Sequence, residues 1–450
     1  MIDYPNIIII VLDTLRKDTL SVYGGDAKTP NLDKFSNDSM IFYNAVAPSS
    51  WTVPSHVSLF TGLYPSRHGV HEDFEVGPQN IFLKLKKFRG NMVTKKLKDF
   101  GYSTFGFSAN GYVSPGTGFE NFFDYLSYVS DDYTTSYYKT VLDEVHELGK
   151  SKAEIIKNSV MSGKVRELLA LYKLRNDYLR RRRMSGYPLM KGSDSILETI
   201  KNSYFEAPFF LFINFVEVHD PVTQWELKRG GTYPHADLMG FKRITESMKN
   251  QVKENYKKAL SNLDNQIGKL FSYFRQKKVY DNSLIIVTSD HGQSIKENRK
   301  FPYYGHGNFI YDELTQIPMI CKLPGNKKKD RRDGYQSLTK IPKLIENVFE
   351  GNEDLDISER AVFSESHGWA HDYLGMIKSG SLPKDTNWND LRGRIFYPRK
   401  AVYKDGYKLA INQLNGEIDE FLFDGRETSM ENKRNIVEDL LNELRNFSEQ

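Results

Sequence analysis

Cysteine is nearly absent from this 450-residue chain, and Cys321 is the only one. A single thiol cannot form an internal disulfide, so no covalent framework staples the fold, and a reducing compartment is compatible with that. Cys321 lies in the largely apolar run Ile317–Leu323 and reads as a small buried hydrophobe. Long hydrophobic runs are missing as well. The most apolar stretch, Phe209–Val218, is about half the roughly 20 residues that a bilayer-spanning helix needs. The start, Met1-Ile2-Asp3-Tyr4-Pro5, lacks the basic residues, the longer apolar core and the small cleavage-site residues of a signal peptide. A cytoplasmic protein with no membrane anchor is therefore expected. An excess of one charge is also missing. The 62 basic and 58 acidic residues leave a net charge of +4, which argues against a specific nucleic-acid partner. No internal repeat and no low-complexity tract is visible.

Apolar residues are plentiful. They make up 39% of the chain and aromatics 13%, enough for a sizeable core, and the length suits one large α/β domain with an appendage. Ile7–Leu12 is a continuous β-branched run that stops at Asp13. Such runs suit central strands of a parallel sheet, buried on both faces. Phe209–Val218 and Leu284–Thr288 read the same way and end in Glu217-Val218-His219-Asp220 and Ser289-Asp290-His291-Gly292. Open α/β sheets bind ligands beyond the carboxyl ends of their strands, so three strands that stop in acidic or imidazole side chains form a constellation.

Helices separate the strands. Tyr256, Leu260, Leu263, Ile267, Leu270, Phe271 and Phe274 follow helical spacing within 254–277, and a second helix is predicted from about Thr52 to Thr61, ended by Gly62. The polar, Lys- and Arg-rich segment 125–205 reads as a mainly helical insertion. Its run Arg180-Arg181-Arg182-Arg183 is either a solvated helical face or an attractor of polyanionic substrates. After about residue 360 the pattern alternates, which predicts a C-terminal subdomain, 361–450, with a small antiparallel sheet and a final helix over 435–447.

Asp13, Asp290 and His291 offer two carboxylates and an imidazole, a donor set that suits Ca, Mg, Mn or Zn and does not choose among them. Asp13 alone is better read as a helix N-cap. The adjacent pair Asp290-His291 is harder to dismiss, because an unpaired polar pair after a buried strand is costly. In Trp51-Thr52-Val53-Pro54-Ser55-His56, Pro54 and Ser55 suit a first helical turn, which places Thr52 at a helix N-terminus. There it is an N-cap or a hydroxyl activated as a nucleophile by a neighbouring cation. His219 and the glycine-flanked His306 are loop histidines with local partners, or donors to a tetrahedral anion and its leaving group.

These segments together resemble the sulfatase branch of the alkaline phosphatase superfamily. The resemblance runs from Pro5-Asn6-Ile7 and Leu12-Asp13-Thr14-Leu15-Arg16 through Thr52–His56, Thr61-Gly62-Leu63-Tyr64-Pro65 and Gly101-Tyr102-Ser103-Thr104. It continues through His219-Asp220-Pro221, Leu263–Gly268, Thr288–Gly292 and His306 to Tyr407-Lys408-Leu409 and 417–424. It implies an alkaline-phosphatase-like sandwich: a large, mostly parallel central sheet flanked by helices, forming a catalytic domain over 1–360, with the small C-terminal sheet and helix behind it. It implies that Asp13, Asp290 and His291 bind one divalent metal ion, that Thr52 is both a fourth ligand and the nucleophile, and that His219 and His306 contact ester oxygens or the leaving group. Asn110 falls near a polar substrate contact, and His56 stands where the family has an arginine. The expected substrate is a small-molecule or glycan ester. The chain is open to assembly as a homo-oligomer.

Two departures bear on chemistry. The family oxidises a Cys or Ser to formylglycine. Thr52 would yield a ketone instead, so no formylglycine is expected. The family's second N-terminal aspartate is Thr14 here, which weakens the case for calcium and favours Mn, Mg or Zn. A threonine alkoxide suits phosphate or phosphonate esters. The covalent Thr52 hydrolase is thus the leading expectation, with a phospho-group transferase acting on a glycan or lipid, and a catalytically degenerate binder of anionic glycans, as alternatives. His367 and His371 fall where the C-terminal elements begin, so a single metal is expected.

Overall fold

The structure is a computed structural model that describes residues 4–129, 191–219, 245–295, 297, 304–325, 329–352, 355–370, 373, 387–394 and 396–449. Most of the expected helical insertion, with Arg180–Arg183, lies outside the described residues, as do Asp220 and His371.

The central sheet is built from β1 (Asn6–Leu12), β2 (Met40–Val46), β3 (Ser103–Ser108), β4 (Tyr125–Tyr128), β5 (Phe209–Phe215) and β6 (Ser283–Thr288). A two-stranded ribbon, β7 (Ser294–Ile295) with β8 (Tyr304–Gly305), follows, and then β9 (Gln316–Lys322) and β10 (Asp330–Ser337) complete the central sheet. Its order is β10-β2-β9-β6-β1-β5-β3-β4. Neighbours from β6 to β4 are parallel, and only β9 runs against its two neighbours, β2 and β6. β4 departs from the helical expectation for 125–205. Four partly exposed residues at a sheet edge carry too little alternation to read as a strand.

β1 is buried along its whole length, and its alternate side chains feed two cores. Ile7, Ile9 and Val11 join a core that includes Val53, Val57 and Phe60 of helix Thr52–Thr61 and Ile341, Leu344 and Ile345 of helix Ile341–Phe349. Ile8, Ile10 and Leu12 point the other way, into a core shared with Leu32 and Phe35 of helix Pro30–Ser36, Ile196 and Ile200 of helix Ser193–Asn202, and Tyr256, Leu260, Leu263 and Ile267 of helix Glu246–Gln276. The sheet is thus sandwiched between helical layers, as a sheet buried on both faces requires. Helix Glu246–Gln276 begins earlier than the periodicity predicts, because its first turns are polar. Helix Thr52–Thr61 ends at Gly62, whose φ of 75° supplies the left-handed residue that terminates it.

The C-terminal sheet is antiparallel, in the order β11 (Val362–Ser366), β12 (Arg399–Lys404), β13 (Tyr407–Asn412), β14 (Ile418–Phe423), β15 (Arg426–Glu427). Val402, Leu409 and Phe421 pack on Leu440 and Leu444 of helix Arg434–Glu449. Among the described residues, no helix is long and apolar enough to cross a membrane.

Candidate active site and metal centre

The parallel strands β1, β3, β5 and β6 all end on one edge of the sheet, and each is followed by a polar residue of the site. Asp13 follows β1, Asn110 lies two residues beyond β3, Glu217 and His219 follow β5, and Asp290 and His291 follow β6. Helix Thr52–Thr61 begins at this edge with Thr52 as its first residue. Sequence positions far apart therefore converge because parallel strands share a direction.

Asp13, Asp290 and His291 are fully buried, and one ligand atom from each lies within 4.8 Å of the others. The hydrogen bonds assign the tautomer of His291. Its Nδ1–H donates to Gly292 O at 2.9 Å, which makes Nε2 the lone-pair nitrogen. That nitrogen lies 3.4 Å from Asp290 Oδ2, 4.0 Å from Asp13 Oδ1 and 3.4 Å from Thr52 Oγ1. Asp290 Oδ1 accepts from the backbone N–H groups of His291 and Thr14, at 2.9 and 3.3 Å. Among the described residues Asp290 Oδ2 accepts no hydrogen bond, and burial pushes this carboxyl above the ordinary carboxylate range, an effect that His56 partly offsets. Acceptor lone pairs thus converge in a dry pocket, an arrangement that repels itself and that a cation reconciles. The residues present therefore fit a divalent cation.

Asn110 Nδ2 donates to Asp13 Oδ2 at 2.5 Å and lies 3.4 Å from Thr52 Oγ1. His56, one helical turn behind Thr52, is completely buried. Its Nδ1–H donates to Thr52 O at 2.9 Å and lies 3.5 Å from Asp290 Oδ2, while Asn214 Nδ2 donates to its Nε2 at 3.3 Å. Burial lowers its pKa and keeps it neutral. His56 therefore faces the underside of the site and supports Thr52 and Asp290 from within the core. His306 donates from Nδ1 to Gln293 Oε1 at 3.0 Å, and its ring centroid lies 4.7 Å from that of His291 and 4.9 Å from that of His219. Asp13, Thr52, Asn110, His219, Asp290, His291 and His306 thus fall in one region, with His56 beneath it.

Several contributors carry no obvious sequence motif. Asn214 is a lone amide in the apolar strand Phe209–Phe215, and that isolation was its only signal. Gln293 orients His306. Ser289 Oγ donates to Leu12 O at 2.7 Å and lies 2.6 Å from His291 O, tying the ends of β1 and β6 together. Gly292 packs so tightly on the backbone of Glu313 that a Cβ would collide with it. The contacts of His367 lie away from Asp13, Asp290 and His291. Its ring stacks on His71 at 3.7 Å, and its Nε2 lies 3.6 Å from Glu365.

Comparison with known proteins places this fold and sequence in a family. The sulfatase family model matches residues 5–347. The chain is 23% identical to mouse iduronate 2-sulfatase over 361 residues, which is 72% of this chain and 60% of the mouse protein, so it spans less than two thirds of that relative. It is 26% identical to N-acetylgalactosamine-6-O-sulfatase of Bacteroides thetaiotaomicron over 390 residues, covering 74% of this chain and 70% of that one. The fold superimposes on phosphonate monoester hydrolase of Agrobacterium radiobacter with a TM-score of 0.61 at 14% identity, over 99% of this chain and 95% of the other. With the family model matching most of its length, the chain belongs to the sulfatase family.

Proposed function

We propose that this chain is a metal-dependent hydrolase of sulfate, phosphate or phosphonate esters in which Thr52 is the nucleophile, with phosphorus esters preferred. The observation that carries the reading is the placement of Thr52 Oγ1, 3.4 Å from His291 Nε2, beside the convergent carboxylates of Asp13 and Asp290. Asp13, Asp290, His291 and Thr52 would hold one divalent ion. When bound, that ion supplies the Lewis acidity that eases loss of the Thr52 proton and polarises the ester oxygens.

The remaining work falls to side chains of this chain. Asn110 donates toward Thr52 Oγ1 and stabilises developing negative charge there. Attack by Thr52 Oγ1 forms an oxygen–phosphorus bond and breaks the bond to the leaving oxygen, which takes a proton from His219 or His306. Water then cleaves the Thr52 ester, returns a proton to Thr52 and releases inorganic phosphate or a phosphonic acid. The start of helix Thr52–Thr61 presents free N–H groups that favour the anion. The preference for phosphorus rests on the side chain at position 52. A sulfated threonine lacks the elimination route that a formylglycine hydrate provides. The same reading treats 1–360 as the catalytic domain and 361–450 as a C-terminal subdomain. Relatives named for sulfated sugars make a glycan ester a natural substrate class.

The test is turnover of p-nitrophenyl sulfate, p-nitrophenyl phosphate, a bis(p-nitrophenyl) phosphate diester and a phenylphosphonate ester, each with Mn, Mg, Ca and Zn. Metal-dependent turnover that is lost in Thr52→Ala supports the reading. Full activity in Thr52→Ala overturns the nucleophile, and higher efficiency on the sulfate ester overturns the preference for phosphorus.

A further inference from the structure

Thr14, the residue after the first metal ligand, has φ +61°. The left-handed region is unfavourable for a β-branched side chain, so this conformation persists only where its surroundings impose it. Two consequences for the site depend on it. The Thr14 N–H is turned toward Asp290 Oδ1, at 3.3 Å, and so couples the end of β1 to the ligand that follows β6. The Thr14 side chain is turned away from ligand duty, because its Oγ1 donates to Asp13 O at 2.6 Å.

One side chain from outside the loop grips both sides of this turn. The phenol of Tyr256, on helix Glu246–Gln276, donates to Thr14 O at 2.8 Å and accepts from Arg16 N–H at 2.9 Å. Tyr256 is almost completely buried, so water does not replace these bonds easily. The next loop is tied to the same place, since the Arg16 guanidinium donates to Gln293 O at 3.2 Å and pairs with Glu297 at 2.5 Å.

We propose that Tyr256 is a positioning residue for the metal centre: its hydroxyl holds Thr14 in the left-handed conformation and thereby fixes Asp13 and Asp290 at the spacing a divalent cation needs. The inference rests on the reading of Asp13, Asp290 and His291 as metal ligands and adds a support that lies on a different layer of the sandwich. The Tyr256 hydroxyl bonds to backbone atoms and to none of the proposed metal ligands' side chains. Its effect passes through backbone geometry, as that of an outer-shell partner does.

The experiment is calorimetric titration of the folded full chain with Mn2+, Mg2+, Ca2+ and Zn2+, each alone, for wild type, Tyr256→Phe, Tyr280→Phe and the double variant Thr14→Gly/Tyr256→Phe. Tyr280 is the control. It is a buried tyrosine that precedes β6, at the opposite end of that strand from Asp290. Tyr256→Phe is expected to weaken metal binding about 10-fold or more, with Tyr280→Phe unchanged. The double variant should recover most of the affinity, because glycine adopts the left-handed conformation without a clamp. It also reports if Tyr256→Phe alone does not fold. Equal affinity in wild type and Tyr256→Phe overturns the inference and leaves the metal centre intact. Equal losses in Tyr256→Phe and Tyr280→Phe, or a double variant no better than the single one, also overturn it. A wild-type chain that binds none of the four ions removes the metal reading and the inference together.

Discussion

Asn110 Nδ2 stands 3.4 Å from Thr52 Oγ1, and the same nitrogen is 2.5 Å from Asp13 Oδ2. One amide therefore bridges a proposed metal ligand and the proposed nucleophile. Replacing it should harm chemistry more than binding, because the charge it stabilises develops only as Thr52 reacts. Asn110→Ala is expected to lower kcat by roughly 100- to 1000-fold with a smaller change in KM. Steady-state kinetics on the best ester of the panel checks this, and an unchanged kcat rejects the role.

The buried carboxylates make the metal-free protein less stable than its core allows. A charge on Asp290 would sit in a dry pocket, and burial raises its pKa for that reason. Asp290→Asn keeps the shape and removes the charge. It should raise the melting temperature of the chelator-treated protein and abolish the stabilisation that added metal gives the wild type. For the wild type, that stabilisation is about 2.7 kcal/mol at a free metal concentration of 100 times Kd. Thermal scans with and without chelator decide it.

Acid should unfold this chain early, for reasons remote from the site. Burial alone would raise the Glu365 carboxyl, but His367, the Ser66 N–H and Lys400 together bring it down to about 2 from an ordinary 4.5. Its contribution is complete above pH 4.5 and is lost as pH falls towards 2. Burial lowers His68 to about 3 from an ordinary 6.5. The unfolded chain therefore takes up this proton first, and stability falls from pH 6.5 downwards. Each shift is worth roughly 1.4 kcal/mol per pKa unit. Denaturant titrations at successive pH values should show a continuous decline below pH 6.5, with Glu365→Gln flattening its lower part.

Lys408 ties the C-terminal sheet to the loop that follows the site. Its ammonium is buried, 2.6 Å from Glu420, 3.0 Å from Asp312 and 2.7 Å from Ile310 O. Lys408→Ala takes the buried cation away from Glu420 and Asp312 and should cost about 3–5 kcal/mol. Lys408→Ala/Glu420→Gln should recover part of the loss, and chemical denaturation measures both.

Much of this architecture is legible in the sequence. The β-branched runs that end in Asp13 and in Asp290-His291 mark central strands and their ligand-bearing ends, because a sheet buried on both faces has no use for polar residues until it stops. Gly62 marks the end of helix Thr52–Thr61 for an equally local reason. Asn214, Gln293 and Tyr256 were not legible as parts of the site. An amide in an apolar strand, a glutamine in a loop and a tyrosine on a helical apolar stripe look alike whether they fill space or orient a neighbour, and only three-dimensional proximity distinguishes them. His56 was legible as a site residue but not as a buried one. Its ring turns inward because Asn214 and the Thr52 carbonyl satisfy both its nitrogens. The edge strand Tyr125–Tyr128 was masked by the polar sequence that follows it.

The placement of β1 has a consequence for biogenesis. This strand leaves the ribosome before either of its partners, which are β5 at Phe209–Phe215 and β6 at Ser283–Thr288. Until both have been translated, this fully buried apolar strand has two open edges, the condition that invites intermolecular pairing. Nascent chains arrested before residue 283 should therefore aggregate or recruit chaperones, and should assemble no metal centre. The centre closes late, when β6 docks beside β1 and brings Asp290 and His291 to Asp13.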